Sequence, residues 1–403
     1  MSQQALSGLK VLEFSEFISG PYCGRLLAGL GAEIIKVERP GAGDKARSWG
    51  PFPGDLPHRE KSGLHLFLNT NKKSVTLNVE TDAGKKIFKE LAKWADVLVE
   101  SNERKEMERL AFDYDSLTKV NPLLVMTSIT AFGQTGPFRD YRACDLINTH
   151  VSGMAFGNPA EGVDDPESQP PLKQPVHTGD FMIGLSAAVC TMSAILGQKR
   201  GGPGQHIDLS QQEALTSVGR QELAFYVGGK ITPTRQKGRK QRGGILYPSR
   251  DSYVCIWAGP FMNKLVQMIG DPDWANTELF QDPNQRMKHM EEFNALVAAW
   301  TSEHTSAEIE QASIEFGVPC SPVRTPRDVI NDEQLAFRQF FVELDHPEAG
   351  RLKYPGAPYK FSATPWSARR AAPLLGQHNH EVYGDMLGYS RQDILRLEQA
   401  GVI

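Results

Sequence analysis

Residues 10–39 constrain the fold most. Lys10-Val-Leu-Glu-Phe14 reads as a short apolar strand. Gly20-Pro21 opens a helix, with proline at a tolerated first position, and Leu26, Leu27 and Leu30 form its apolar face. Glu33-Ile-Ile-Lys-Val37 is a second strand that ends in Glu38-Arg39. Strand, helix and strand in so short a span predict a βαβ unit with a parallel pair and a right-handed crossover. The alternation continues. Strands are expected at Val75–Val79, Asp96–Glu100, Leu123–Ile129 and Gln205–Leu209, with helices from Thr81-Asp82 to Trp94 and from Gln211 onward. This pattern predicts an α/β chain with a Rossmann-like parallel sheet in a large domain. An acidic residue ending the second strand also occurs in dinucleotide-binding folds. The glycines at 20, 24, 29 and 31 do not follow Gly-x-Gly-x-x-Gly, so they read first as helix–strand packing residues.

At 403 residues the chain exceeds one ordinary core, and a second, smaller domain is expected. The net charge of −4 gives no bulk attraction to nucleic acid or anionic lipid. The first residues carry no signal-peptide pattern, and no apolar run reaches about 18 residues, so no membrane span is expected. Cys23, Cys144, Cys190, Cys255 and Cys320 are odd in number and scattered, which points to reduced thiols in a cytoplasmic protein. His378-Asn-His380 reads as a solvated loop rather than a metal site. The basic run 235–242 reads as a solvated linker, with an anion contact as the alternative. Residues 157–175 read as a long loop. Ser252–Trp257 is an expected strand, residues 260–318 are mainly helical, short strands fall within 340–360, and a helix starts at Ser390.

The stretch 175–213 carries the chemistry. Met182, Leu185, Val189, Met192 and Leu196 recur at spacings of three and four and predict one face of an amphipathic helix. Gly201-Gly202-Pro203-Gly204 should end it. Asp180 then stands just before the first turn. One reading is a helix N-cap. The other is a carboxylate kept ionised by the positive end of the helix, and so an available nucleophile. Competing nucleophiles are weak. Gly184-Leu-Ser186 lacks the second glycine of a nucleophile elbow, and Cys144 reads as a small buried thiol without a paired base. No Gly-x-x-x-x-Gly-Lys-Ser/Thr loop is present.

The chain resembles the class III CoA-transferases, the group that holds formyl-CoA, carnitine and glutarate CoA-transferases. The resemblance rests on Leu6-Ser-Gly-Leu-Lys-Val-Leu-Glu-Phe14, Gly20-Pro21 and Leu30-Gly-Ala-Glu-Ile-Ile-Lys-Val-Glu-Arg39 continuing to Asp44. It continues in Asn69-Thr-Asn-Lys-Lys-Ser74, Ser128-Ile-Thr-Ala-Phe-Gly-Gln-Thr-Gly-Pro137, Gly179-Asp180, Gly202-Pro-Gly-Gln205 and Ala372-Pro-Leu-Leu-Gly-Gln-His378. Each motif alone is weak, but their order and spacing are specific.

The resemblance implies that Asp180 is the catalytic carboxylate and forms an aspartyl–acyl anhydride and then an aspartyl–CoA thioester. It implies CoA contacts from Arg39, Leu77, Asn102, Arg109 and Arg142. The substrates would be an acyl-CoA and a carboxylic acid, with no permanently bound cofactor and no metal. It also implies an interlocked homodimer. The large α/β domain would comprise residues 1–225 and a return over 331–403, with a linker and small α+β domain at 226–330. Four departures narrow this. Ser101-Asn-Glu-Arg-Lys-Glu replaces the usual Pro-Gly turn near the nucleotide. Ile18 replaces the glutamine of the formyl-CoA branch, and that branch's glycine-rich flap is not evident after residue 228, which argues against formyl-CoA and oxalate. Cys144 stands where the sister α-methylacyl-CoA racemases have a histidine base, which favours transfer over α-proton exchange. A non-catalytic CoA-binding homolog and a nicotinamide dehydrogenase are the remaining alternatives.

Overall fold

The computed structural model describes residues 4–159, 165, 168–218, 220–232 and 245–403. The basic run 235–242 and part of the 157–175 loop lie outside the described residues. The chain divides into two compact units. One comprises Met1–Asn158, Pro171–Pro233 and Arg338–Ile403, and the other Pro159–Pro170 and Thr234–Phe337.

The first unit is built on six parallel strands: β1 (Lys10–Phe14), β2 (Glu33–Glu38), β3 (Lys73–Thr76), β4 (Val97–Glu100), β5 (Val125–Thr130) and β6 (Gln205–Ser210), ordered β3-β2-β1-β4-β5-β6. Leu12 pairs with Ile35 on one side and Leu98 on the other. The order reverses between β1 and β4, and in such sheets ligands bind beyond the strand C-termini at that point. The strands read as nearly unbroken apolar runs because helices cover both faces. On one face Leu12, Ile35, Val75, Leu98 and Met126 pack against Phe88 and Leu91 of a helix at Asp82–Trp94, and against Tyr383 and Ile394. On the other, Val11, Ile34, Val97 and Val125 pack against Leu27 of α1 (Ser19–Gly29) and against Ile183 and Ala187 of the long helix Thr178–Lys199.

Two expectations change. The third strand lies earlier than Val75–Val79, because after Thr76 the backbone leaves the sheet and Asn78 N–H donates to Val402 O at 2.7 Å. The expected apolar face of Thr178–Lys199 is inside only in part, where Met182 and Met192 pack against the core. Leu185, Val189 and Leu196 are exposed, whereas Ile183, Gly184, Ala187, Ala188, Thr191, Ala194 and Ile195 are buried. The helix is apolar nearly all round, so periodicity could not choose a face. Close approach to α1 chose it: a Cβ on Gly184 would sit 2.5 Å from Ser19 O. This helix is also long and apolar enough, by length and composition, to cross a membrane, which corrects the expectation that no such segment exists. Half of it is buried in the unit, against α1 and β5.

His378 is another correction. It is buried rather than solvated, its N–H donates to Ser74 O, and its Nδ1 accepts from Ser74 N–H, so the carboxy-terminal segment clamps β3. β10 (Phe341–His346) and β11 (Gly350–Pro355) form a hairpin in this unit. A capping box at Ser390 and Asp393 starts the last helix at Arg391.

The second unit has three antiparallel strands, β7 (Ile245–Pro248), β8 (Tyr253–Ile256) and β9 (Cys320–Pro322), ordered β7-β8-β9. Val254 and Ile256 pack against Leu265, Phe293, Val297 and Ile309 of the helices between β8 and β9.

Candidate active site

Asp180 is the third residue of its helix, inside the first turn, and not the residue before it. His177 holds the N-cap position and makes no side-chain cap bond. The capping reading of Asp180 therefore fails. Its own N–H donates to Asp145 Oδ1 at 3.2 Å, and Lys173 Nζ lies 2.8 Å from Asp145 Oδ2. Asp145 opens the helix Asp145–Val151, so two helix starts meet here. Gly179 permits the meeting, because a Cβ there would sit 2.6 Å from Asp145 Oδ1 and 3.2 Å from Thr149 Oγ1.

Asp180 is 7 % exposed. Burial, with the Asp145 charge adding and Lys173 opposing, pushes its carboxyl up to about 7. The helix start does not hold it in the ordinary carboxylate range, as local sequence had suggested, because desolvation outweighs the dipole at this depth. His177 Nδ1 lies 3.3 Å from Asp180 Oδ2 without the alignment of a hydrogen bond. Burial first, and Lys173, hold this imidazole below its ordinary range despite the Asp145 charge.

Two non-glycine residues with left-handed backbone flank the carboxylate. Phe17 has φ +71° and Val176 φ +53°. Such conformations cost on the order of 1–3 kcal/mol and need external support. Asp44 Oδ1 accepts Phe17 N–H at 2.9 Å, and Lys173 Nζ donates to Val176 O. Phe17, Trp49 and His177 meet edge to face, with centroids 5.0–5.7 Å apart. Asp145, Lys173 and His177 were not singled out from sequence as a group. The His177–Asp180 spacing of three was the one local signal. Cys144 is exposed at the start of the Asp145 helix, not buried as expected.

Phe17 leads directly to a second feature. Beyond the C-termini of β1 to β4 lies a cavity of about 540 Å³, whose lining includes Glu16, Arg39, Leu77, Glu80, Asn102 and Leu110. Three of the five residues expected at a CoA site, Arg39, Leu77 and Asn102, are thus brought together. Arg109 and Arg142 are not in the lining. Arg109 lies outside it, held by Glu80 at 2.6 Å and Glu106 at 2.5 Å, and Arg142 pairs with Glu103 at 2.5 Å. Arg39 Nε lies 3.3 Å from Glu16. Glu38, the acidic residue ending β2, is not free to hold a ribose. Its carboxylate accepts Arg47 Nε at 2.7 Å, Arg47 Nη2 at 2.9 Å, Ser74 Oγ at 2.6 Å and Asp44 N–H at 3.0 Å. That removes the main basis of the dinucleotide reading.

A buried ionic network supports both features. Lys36 Nζ contacts Glu13 at 3.0 Å, Asp44 at 2.6 Å and Ser15 O at 2.8 Å, and Lys72 Nζ contacts the other Glu13 oxygen at 2.8 Å. Arg47 bridges Glu38 and Glu60. Burial works against the Lys36 ammonium, but the charges of Asp44, Glu13 and Glu38 outweigh it and hold the group well above the ordinary lysine range.

Residues 6–379 match the family model for CoA-transferase family III. The succinyl-CoA–D-citramalate CoA-transferase of Chloroflexus aurantiacus is 32% identical, over 99% of this chain and 98% of its own length. The mouse succinyl-CoA:glutarate CoA-transferase is 30% identical over 100% of this chain and 91% of its own. A formyl-CoA:oxalate CoA-transferase of Rhodopseudomonas palustris is 31% identical, with 99% and 97% covered. Among solved structures, a CAIB/BAIF family protein from Brucella suis superposes with a TM-score of 0.84 at 26% identity, covering 95% of this chain and 99% of that one.

Proposed function

The chain belongs to CoA-transferase family III and is an enzyme that transfers CoA, and from that premise we propose that Asp180 carries CoA from an acyl-CoA donor to a carboxylic acid acceptor. The observation that supports this most is a carboxylate buried in a first helical turn, with its backbone pinned by Asp145 and one oxygen beside His177.

The Asp180 oxygen attacks the donor thioester carbonyl, the carbon–sulfur bond breaks, and an aspartyl–acyl anhydride and CoA thiolate result. The thiolate attacks the aspartyl carbonyl and frees the donor acid as carboxylate, leaving an aspartyl–CoA thioester. The acceptor carboxylate attacks that thioester and regenerates thiolate, which takes the new acyl group and restores Asp180. No net proton is consumed, and each exchange conserves the energy of a thioester or anhydride.

Arg39, Leu77 and Asn102 hold the nucleotide end of CoA in the 540 Å³ cavity in this reading, and we keep Arg109 and Arg142, which stand outside its lining, as forked donors suited to the phosphates. Two relatives carry succinyl-CoA in their names, which makes succinyl-CoA the first donor to try. Labelled succinate should exchange into succinyl-CoA in the presence of a dicarboxylic acceptor. Deuterium uptake at an α-carbon without label exchange would replace this reading by the racemase one.

Transfer depends on ionised Asp180. With its carboxyl pushed up to about 7, the rate at saturating substrate should rise with pH from about 5.5 and level off above about 8. A profile flat from pH 5 upward would show that the nucleophile is already ionised in the acidic range.

The fold supports a homodimer. Leu185, Val189 and Leu196 form an exposed apolar row, and Leu223, Phe225, Tyr226 and Val227 are exposed on Arg220–Gly229. A second copy is the covering we propose for these faces, interlocked with the first as the resemblance implies. We divide each copy into the large α/β domain, 1–225 with 331–403, and the small domain 226–330. Val189→Asp should shift sedimentation toward the monomer mass, and an unchanged dimer would remove this helix from the interface. The five unpaired thiols fit a cytoplasmic setting.

A further inference from the structure

Glu100, the last residue of β4, is a buried carboxyl that the transfer steps leave unused. It is fully buried, and burial pushes it up to about 7 against the Ser128 hydroxyl and the Asn102 groups, which favour its ionised form. One oxygen, Oε2, accepts Asn102 N–H at 2.7 Å and lies 3.4 Å from Asn102 Nδ2. The same Nδ2 donates to Phe14 O at 2.8 Å.

Both hydrogens of the Asn102 amide therefore point into the protein, toward the ends of β1 and β4. These are the two strands on either side of the reversal in strand order. A flipped amide would set its oxygen against the Phe14 carbonyl oxygen, acceptor against acceptor, and would take its N–H groups away from Glu100 Oε2. Asn102 lines the cavity, and among the described residues nothing donates to its Oδ1, which is not buried. The polarity of this side chain is thus decided by the groups behind it rather than by the ligand.

We infer that Glu100 is a positioning residue that locks the Asn102 amide with its carbonyl oxygen toward the cavity. That point of the CoA site then becomes an acceptor for an N–H or O–H group on the nucleotide end of the substrate. The inference rests on the reading of the cavity as the nucleotide site. It assigns Glu100 to binding and not to the chemical step.

The test compares succinyl-CoA with succinyl-pantetheine, which lacks the nucleotide, on the full-length enzyme. Glu100→Ala should raise KM for succinyl-CoA about tenfold, the weight of one hydrogen bond. It should leave kcat and the kinetics on succinyl-pantetheine unchanged. Glu100→Gln keeps an acceptor oxygen for Asn102 and should restore the wild-type KM. Asn102→Ala should raise KM by the same factor as Glu100→Ala, and the double variant should be no worse than either, which covers the case in which Glu100→Ala folds poorly. An equal loss on both thioesters, a Glu100→Gln enzyme as weak as Glu100→Ala, or additive losses in the double variant would overturn the role of Glu100. A wild-type enzyme that treats the two thioesters alike would instead overturn the cavity as the nucleotide site.

Discussion

Asp180→Ala should lose CoA transfer by at least about 10³-fold, because a covalent route without its nucleophile retains only the benefit of binding. Intact-mass measurement after incubation with succinyl-CoA should show an added mass on the wild type and none on the variant. Hydroxylamine should convert the wild-type adduct to a hydroxamate that maps to Asp180, since anhydride and thioester both acylate it. Residual activity within tenfold of wild type would reject the aspartyl route.

Asp180→Asn separates chemistry from folding. The neutral amide has the same shape and leaves the Asp145 contact to the residue 180 N–H in place. It should be as inactive as alanine yet more stable than the wild type at alkaline pH. The sign follows from the raised pKa. Native Asp180 titrates at about 7, against 3.8 for the free side chain, so the native state binds this proton more tightly than the unfolded chain does. Its favourable contribution is complete below 3.8 and is lost as pH rises through about 7. Asparagine carries no charge to bury, so its advantage should appear at pH 8 and vanish near pH 4. Urea midpoints at the two pH values measure it.

Lys36→Met should cost about 3–5 kcal/mol of stability, because it leaves Asp44 buried without its cation and Glu13 with Lys72 alone. Lys36, Glu13 and Asp44 are each at most 3 % exposed, so water cannot take the place of the ammonium. Asp44 also holds the N–H groups of Phe17 and Ala46, and the loop that carries Phe17 toward His177 should loosen with it. Lys73→Met is the control. Lys73 pairs with Glu33 and Glu381, both partly exposed, and its loss should cost no more than about 1 kcal/mol. Urea unfolding of both variants at pH 7 tests the contrast. A Lys36→Met protein within about 1 kcal/mol of wild type would mean that the network relaxes or hydrates.

Lys36 also shows where sequence reading stops. It stands in an apolar strand, and its spacing from Glu13 and Asp44 carries no sign that the three meet. The strand pattern itself was legible, because a sheet covered on both faces demands runs such as Val11-Leu12 and Ile34-Ile35. The end of β3 was not, since just past it the Asn78 N–H donates to Val402 O, more than 300 positions away. The inward face of Thr178–Lys199 was legible only in Met182 and Met192, for a related reason. Large aliphatic side chains signal burial when a helix has one apolar side, but here small residues sit inside and let α1 approach.

The site divides in the same way. Asp180 as the catalytic carboxylate and the five CoA contacts were named through the resemblance alone; the cavity gathers Arg39, Leu77 and Asn102 and leaves Arg109 and Arg142 outside its lining. The state of Asp180 was not legible. Its elevated pKa comes from depth and from Asp145, which lies 35 positions earlier and touches it only because Gly179 has no side chain. The amino-acid sequence by itself determined the alternation of strand and helix, hence a parallel α/β sheet, and the presence of a carboxylate at a helix start. Those properties follow from local periodicity and local capping chemistry. Only the tertiary structure decided which helix face is inside, which charges are buried together and which way Asn102 points, because packing and desolvation depend on neighbours that are remote in the chain.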